Sequence, residues 1–303
     1  MPTTASPTPF DRKAVRRHRD RAAARFEQYS FLFQEIAERL VDRLDDVRGA
    51  FPLALDLGGR TGTLARLLPG HGGVETVIGC DLSPGMVALA PKPQVVADEE
   101  ALPFGDSRFD LIVSCGALNW VNDLPGALVQ IRRALKPDGL FLAAFAGGET
   151  LAQLRQVLID AELAEAGGAS PRVSPVVDTR DAGMLLQRAG FALPVVDSDT
   201  LRVSYANPLN LMRDLRGMGD TNANTDRSRH LSRRGVLLDA ARRLMDQQAH
   251  PEGRVEMVIQ ILFLTAWAPA PSQPKPLRPG SATHRLADAL GVEEGGGGLD
   301  RDR

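Results

Sequence analysis

Short apolar runs alternate with amphipathic stretches through the first half of the chain. The apolar runs predict strands at 52–57, 76–80, 94–97, 109–114 and 139–145, and the stretches between them predict helices at 63–68, 84–89 and 125–135. This alternation is typical of a parallel sheet with helices on both faces. We therefore expect an α/β, doubly wound fold whose ligands bind beyond the carboxyl ends of the strands.

The second half of the chain has a looser pattern. Helices are predicted at 149–166 and 178–190, followed by a strand pair at 193–205, a polar helical insertion and a last strand at 255–267. The stretch from Val258 to Ala266 reads VIQILFLTA, so the last strand should be buried inside the sheet. Pro137 and Gly139 predict a turn that stops the preceding helix at Leu135.

These patterns divide the chain into four parts. We expect a basic N-terminal helical segment at 1–50, a ligand-binding α/β core at 51–148, the C-terminal half of the fold with its insertion at 149–269, and a flexible tail at 270–303. The tail is rich in proline and glycine and has too little apolar surface to fold alone.

The N-terminal segment carries a dense group of cations. They are Arg12, Lys13, Arg16, Arg17, Arg19, Arg21 and Arg25. Two interpretations are open: a solvated helix face beside the ligand cleft, or an electrostatic clamp on an acidic protein or a membrane surface. The aromatic residues Phe26, Tyr29, Phe31 and Phe33 follow, and they either close over a ligand or pack in the core.

The composition of the chain excludes several classes of function. Its 36 basic and 38 acidic side chains give a net charge of -2, which provides no long-range field to attract nucleic acid. Cys80 and Cys115 lie in apolar runs, so we expect buried thiols in a reducing compartment and no cysteine-bound cluster. No apolar run could span a bilayer and residues 1–9 lack a secretory signal, so we expect a cytoplasmic protein.

The strongest local motif is LDLGGRTG at residues 55–62, in which Asp56 closes a strand and a glycine-rich turn opens a helix. Glycine lets the backbone approach a ligand closely. Asp56 would face a ligand ammonium group, and the helix amino terminus after Gly62 would lie near the ligand carboxylate. A tight turn without a ligand is the alternative. A nicotinamide dinucleotide site requires the spacing G-x-G-x-x-G, which this turn lacks.

Carboxylates also follow the next two predicted strands. Asp81 suits two ribose hydroxyls, although it is equally suited to cap the helix that starts at Pro84. Asp98 would accept from an adenine amino group while Leu102 packs on the ring. Because parallel strands end at one edge, these carboxylates together favour a nucleoside-type ligand. The loop at 114–123 would lie over the reactive centre, and its tryptophan is equally suited to the core.

In combination, these motifs resemble the class I S-adenosylmethionine-dependent methyltransferases. The resemblance rests on residues 56–62, Asp81, residues 98–104 and 109–121, and the turn at 135–139. It implies a mostly parallel seven-stranded sheet with S-adenosyl-L-methionine as the cofactor. The turn of this family usually has a third glycine where the chain has Arg60, which leaves the contacts of Arg60 and Thr61 open.

A second resemblance extends almost from end to end, to the family of the mitochondrial complex I assembly factor 5, arginine hydroxylases that act on a complex I subunit. It rests on FDR at 10–12, FPLALDLG at 51–58, ADEE at 97–100, WVNDLP at 120–125, GMG at 217–219 and PGSAT at 279–283. The short stretch before Phe10 leaves no room for a transit peptide, which favours a bacterial relative. The core of the chain also resembles the malonyl carrier-protein O-methyltransferases, but that family does not supply a match to the GMG motif.

These resemblances imply a set of site residues. The cofactor-binding residues would be Asp56, Gly58, Gly62, Asp81, Leu82, Asp98, Glu99, Leu102 and Ser114, and the substrate-binding residues would be Asn119, Trp120 and Tyr205. No catalytic residue and no metal ligand is assigned, because the five histidines have no catalytic spacing.

Two hypotheses about function follow. In the first, the protein is an enzyme that modifies a carrier or a protein side chain, such as one in a complex I subunit, by methyl transfer or hydroxylation. The alternative within this class is a methyltransferase similar to the malonyl carrier-protein enzymes or one that acts on a small molecule. Hydroxylation would need an oxidant from elsewhere, since no two-histidine, one-carboxylate iron site is apparent. In the second, the protein is a non-catalytic assembly factor that grips a nascent subunit through its basic helix and its insertion near 207–224. Peripheral contact with a membrane is compatible with either hypothesis.

Overall fold

The structure, a computed structural model, describes residues 8–248 and 253–274. Its strands form one seven-stranded sheet of order β3-β2-β1-β4-β5-β7-β6. The strands are β1 Leu53–Leu57, β2 Thr76–Asp81, β3 Gln94–Val96, β4 Phe109–Cys115, β5 Leu135–Gly147, β6 Ala192–Tyr205 and β7 Val255–Trp267. Neighbours among β1 to β5 pair in parallel, whereas β7 is antiparallel to both β5 and β6.

Helices precede the sheet, connect its strands and fill the insertion before β7. They are α1 Arg12–Ala22, α2 Phe31–Asp45, α3 Thr63–Leu67, α4 Pro84–Val87, α5 Leu124–Ala134, α6 Ala152–Ala166, α7 Thr179–Arg188, α8 Pro208–Gly217 and α9 Arg234–Gln248. The predicted doubly wound, mostly parallel seven-stranded sheet is confirmed. The predicted burial of the last strand is also confirmed, because β7 lies between β5 and β6.

Two local predictions are wrong. The segment predicted as a strand pair at 193–205 is one strand, β6, which pairs with β7 from Val195 through Tyr205 without a turn. The helix predicted to end at Leu135 ends one residue earlier, and Leu135 already pairs with Phe109. The proline–glycine turn is therefore an irregularity inside β5, where Asp138 takes a φ of 64°.

Helices cover both faces of the sheet because their apolar side chains recur at intervals of three and four residues. On one face, α2 buries Phe33, Ile36 and Leu40. On the other face, α5 buries Leu128 and Ile131. The cluster on the first face also contains Ala54 of β1 and Val77 of β2, so it fixes the N-terminal helices relative to the strands that carry the site described below.

Several whole-chain expectations can be compared with these residues. Cys80 and Cys115 are free and buried, as predicted. Within 8–248 and 253–274, no helix has the length and apolar content needed to cross a membrane. The chain divides into a compact unit that ends at Ala270 and a segment that begins at Pro271. Beyond residue 274, the predicted tail and the PGSAT match lie outside the described residues.

Candidate functional site at the carboxyl edge of the sheet

The glycine-rich turn after β1 is shaped by close backbone contacts. Gly58 has a φ of +70°, and a Cβ there would lie 2.0 Å from the Cβ of Ala117. Gly62 has a φ of +84°, and a Cβ there would lie 2.4 Å from Cδ of Pro91. Both positions require glycine for conformation and for space. The turn between them brings the backbone against the carboxyl ends of β1 and β2.

Asp56, at the end of β1, is buried with one of its oxygens unpaired. Its Oδ2 accepts from the backbone N–H of Ala65 at 3.2 Å, while its Oδ1 has no hydrogen-bond partner in the described part of the chain. Burial raises the pKa of Asp56 to about 7, and the nearby charge of Asp81 acts in the same direction. A buried carboxyl oxygen without a donor is unusual and indicates a place where a ligand donor would be accepted.

Asp81 and Glu99 share a cation from the N-terminal helix. Nη1 of Arg19 lies 3.2 Å from Oδ2 of Asp81 and 2.9 Å from Oε1 of Glu99. All three side chains are buried, and Arg19 is 0% exposed. Burial acts to raise the pKa of Glu99, but the charges of Arg19 and Arg12 outweigh it and lower that pKa below its ordinary value.

Arg12, the first residue of the same helix, pairs with the carboxylates that follow β3. Its Nη2 donates to Asp98 and Glu99, and its Nη1 donates to the carbonyl of Trp120 at 2.9 Å. Asp56, Asp81 and Asp98 lie at or just beyond the carboxyl ends of β1, β2 and β3, on one edge of the sheet. The expectation that the basic helix presents a solvated face holds for Arg16 and Arg17 but is wrong for Arg12 and Arg19.

Arg60, at the position where the family resemblance predicts a third glycine, turns its side chain into the site. It adopts a φ of 52°, and its backbone N–H donates to Oδ2 of Asp81 at 3.1 Å. Its guanidinium donates to the carbonyl of Met218 at 2.7 Å and to Oδ1 of Asp220 at 2.8 Å. The same guanidinium lies 4.3 Å from the centre of the Phe33 ring, a cation–π distance.

The space between these side chains is nearly filled. A cavity of about 10 Å³ remains, lined by Asp56, Gly59, Arg60, Thr63, Leu64, Cys115 and two rings of the aromatic cluster, Phe26 and Phe33. This volume is about that of one water, whereas pockets for small-molecule ligands measure roughly 300 to 1,000 Å³. The carboxylates and glycines fit S-adenosylmethionine in kind, but this cavity beside Asp56, with Arg60 in its wall, is too small to hold that ligand.

The loop after β4 lies against this site through its tryptophan. Trp120 is buried, packs edge to face on Phe10 with ring centres 5.4 Å apart, and donates from Nε1 to Oδ1 of Asp220 at 3.1 Å. Asp220 therefore links Trp120 to Arg60. Asn119 is half-buried beside Trp120.

The remaining predicted residues fall into two groups. Leu82 packs with Phe10 and Trp120, and Leu102 packs on the α5 side of the sheet, with both next to the carboxylates. Ser114 is buried in β4, and its hydroxyl has no partner among the described residues. Tyr205 packs instead in the apolar cluster of α6, α8 and α9, at the edge strand β6, so its assignment as a substrate residue has no support from its surroundings.

Sequence reasoning missed Arg12 and Arg19 as site residues, although a signal was present. They lie seven residues apart, two helical turns, and Val15 and Ala22 occupy the same face. That face is buried, while the remaining arginines of α1 point outward. An arginine on the apolar face of a helix predicts a buried ion pair, whereas an arginine on the polar face predicts a solvated charge.

Comparison with known proteins agrees with this geometry. Residues 55–143 match the family model described as a methyltransferase domain. The solved structure of the YcgJ protein from Bacillus subtilis matches with a TM-score of 0.54 at 16% identity, over 77% of this chain and 98% of that one. These matches and the sheet order define a class I S-adenosylmethionine-dependent methyltransferase fold.

Curated relatives narrow this class. The chain is 41% identical over 286 residues to the mitochondrial arginine-hydroxylase NDUFAF5 of Danio rerio, with 92% of this chain and 88% of that protein covered. It is 38% identical over 268 residues to the malonyl-[acyl-carrier protein] O-methyltransferase of Halorhodospira halophila, with 85% and 88% covered. The chain belongs to the family of the arginine-hydroxylase NDUFAF5, within the methyltransferase superfamily, and is an enzyme of that superfamily.

Proposed function

We propose that the protein binds S-adenosylmethionine at the carboxyl edge of β1 to β3 and uses it in the modification of a protein side chain. The observation that carries the proposal is that Asp56, Asp81 and Asp98 lie at or just beyond the carboxyl ends of three neighbouring parallel strands, β1, β2 and β3, on the edge where the glycine-rich turn lies. Asp56 would accept from the ligand ammonium group, Asp81 from the ribose hydroxyls and Asp98 from the adenine amino group. Gly58 and Gly62 would let the backbone come close.

When bound, S-adenosylmethionine supplies an activated methyl group. The residues of the chain would then contribute alignment and exclusion of water, which general physical chemistry values at several kcal/mol. Trp120 and Asn119, on the loop after β4, are the residues that we expect to contact the substrate. We assign no general base for methyl transfer.

The substrate class is proposed from the relatives. The alignment with the arginine-hydroxylase spans 92% of the chain, so it extends well beyond the α/β core and includes the insertion. We therefore propose a cytoplasmic enzyme that acts on an arginine of a protein in the assembly of respiratory complex I. The alternative products are a methylated and a hydroxylated residue, the latter requiring an oxidant supplied from outside the chain.

Two other functions have a specific observation in their favour. The 38% identity to a malonyl-[acyl-carrier protein] O-methyltransferase favours methylation of a carrier-bound carboxylate. The side chains of Arg19 and Arg60 inside the site favour a non-catalytic assembly factor. Each alternative predicts a different outcome of the experiment below.

Intact-mass analysis of complex I subunits, from cells with and without the gene, tests the proposed function. A subunit heavier by one methylene unit when the gene is present indicates methyl transfer, and one heavier by one oxygen atom indicates hydroxylation. Identical subunit masses together with methylation of malonyl carrier protein in vitro would replace the proposal by the carrier-protein alternative. Identical masses together with co-purification of an unmodified subunit would support the assembly factor.

A further inference from the structure

Helix α1 places a charged side chain in the candidate site. This side chain pairs with carboxylates that the proposed ligand would also need. Arg19 uses Nη1 to pair with Asp81 and Glu99, and Arg12 pairs with Asp98 and Glu99. These carboxylates include the acceptors that an adenosine ligand would need for its ribose and adenine groups. These four ion pairs form a network, and this ion-pair network is an internal substitute for the ligand.

The guanidinium groups of this ion-pair network are incompletely hydrogen-bonded. Nε and Nη2 of Arg19 are buried and have no hydrogen-bond partner among the described residues, whereas Nε of Arg12 lies 3.6 Å from Oε1 of Glu100, within ion-pair distance but beyond a hydrogen bond. Buried donors of a charged group are costly when they have no acceptor. The docked position of α1 thus carries a penalty that is relieved when Arg19 leaves the site and its guanidinium reaches water.

The GMG motif at 217–219 provides the surface on which the N-terminal segment docks. A Cβ at Gly217 would lie 2.3 Å from the ring of Tyr29, and one at Gly219 would lie 3.2 Å from the Cα of Arg19. Gly219 also has a φ of +80°. The glycines therefore allow α1 and the following turn to approach closely enough for Arg19 to reach Asp81, which gives a physical role to a motif that cofactor binding alone does not explain.

From this geometry, and resting on the proposed function, we propose that α1 is an autoinhibitory plug whose Arg19 occupies the nucleoside end of the site. S-adenosylmethionine enters only after α1 has moved away, so ligand binding and release of α1 are one linked equilibrium. A ligand that binds only the released state has an apparent affinity reduced by the fraction of molecules in that state. The movement would free Arg12 and Arg19, which would then join the exposed arginines of α1 in a surface available to an acidic protein partner.

The test combines calorimetry with hydrogen–deuterium exchange on the full chain, with S-adenosylhomocysteine as the probe. In the wild type, we expect saturating probe to accelerate exchange of the amides of α1 by about tenfold or more, as expected for a shift toward the released state. The variant Arg19→Met removes the buried cation and keeps an unbranched apolar side chain. It should exchange faster without the probe and bind the probe more tightly, by roughly tenfold or more. Arg17→Met, on the exposed face of the same helix, is the matched control and should behave as the wild type.

The outcomes separate this inference from the proposed function. If the wild type binds the probe while exchange in α1 stays unchanged or slows, α1 is a clamp over the ligand and the plug is ruled out, whereas the proposed function stands. The plug is also ruled out if Arg19→Met binds more weakly than Arg17→Met. If neither the wild type nor Arg19→Met binds, both proposals fail. Should Arg19→Met not fold, the exchange measurement on the wild type decides alone.

Discussion

Two carboxyl groups at the same edge of the sheet, Asp56 and Glu99, are both buried but have opposite electrostatic surroundings. Asp56 forms no ion pair among the described residues, and burial raises its pKa to about 7 although the charge of Arg66 acts to lower it. Glu99 lies between Arg19 and Arg12, whose charges lower its pKa despite burial. The difference arises from the reach of α1, which supplies cations to the β2–β3 side of the edge and not to the end of β1. One half of the site is therefore self-paired, and the other half is left with an unpaired acceptor.

The largest expected effect on stability comes from removing one carboxylate of the self-paired half. Glu99→Ala removes an acceptor from two buried guanidinium groups, and the loss of one partner from a buried ion pair typically costs about 3 to 5 kcal/mol. Urea denaturation at neutral pH measures the free energy of unfolding. As a control, Asp106→Ala removes an exposed partner of Arg133 and should cost less than about 1 kcal/mol. Equal losses of unfolding free energy in the two variants would show that the ion-pair network of Arg12 and Arg19 contributes no more than a surface pair.

A second prediction concerns the unpaired half and its dependence on pH. The ordinary pKa of Asp56 is 3.8 and its folded-state pKa is about 7, so the folded protein retains a proton that the unfolded chain releases in this window. Stability should therefore fall as pH rises from about 4 to 7, by up to roughly 1.4 kcal/mol per pH unit, and level off above pH 7. Asp56→Asn should remove this slope when unfolding is followed by urea at several pH values. A slope that persists in Asp56→Asn would assign the titration to another group.

The sequence predicts the strands that form this edge and the carboxylates that end them, because both depend on local pattern. It does not predict how those carboxylates are neutralised. Arg19 belongs to a helix more than sixty positions before Asp81, and only the folded chain brings them within hydrogen-bond distance. Tyr205 shows the converse limit: it ends a strand at the correct edge, yet β6 lies at the far side of the sheet, so the position along a strand does not determine the distance to the site.

A third, smaller effect concerns the backbone that approaches Asp56. A Cβ at Gly59 would lie 2.4 Å from Oδ2 of Asp56, so Gly59→Ala should cost about 1 to 3 kcal/mol through overpacking. The double variant Gly59→Ala/Asp56→Ala should recover most of that cost, because the carboxylate that clashes is absent. The coupling energy is obtained from the four free energies of unfolding in a double-mutant cycle. Strict additivity would mean that Gly59 is required for another reason.

The smallest expected effect comes from a substitution on the outer face of α1, which can be compared with one that acts on the inner face. Asp20, on the outer face, accepts from Oγ of Ser83 at 2.5 Å and from the backbone N–H of Gly85 at 3.1 Å. Asp20→Ala should cost about 0.5 to 1 kcal/mol, as for the loss of a helix-capping hydrogen bond, and should accelerate exchange of the α1 amides only slightly. Glu99→Ala, which acts on the inner face, should accelerate the same amides strongly in hydrogen–deuterium exchange. If Asp20→Ala released α1 as readily as Glu99→Ala, the helix would be held by its outer contacts, and the buried arginines would follow its position instead of determining it.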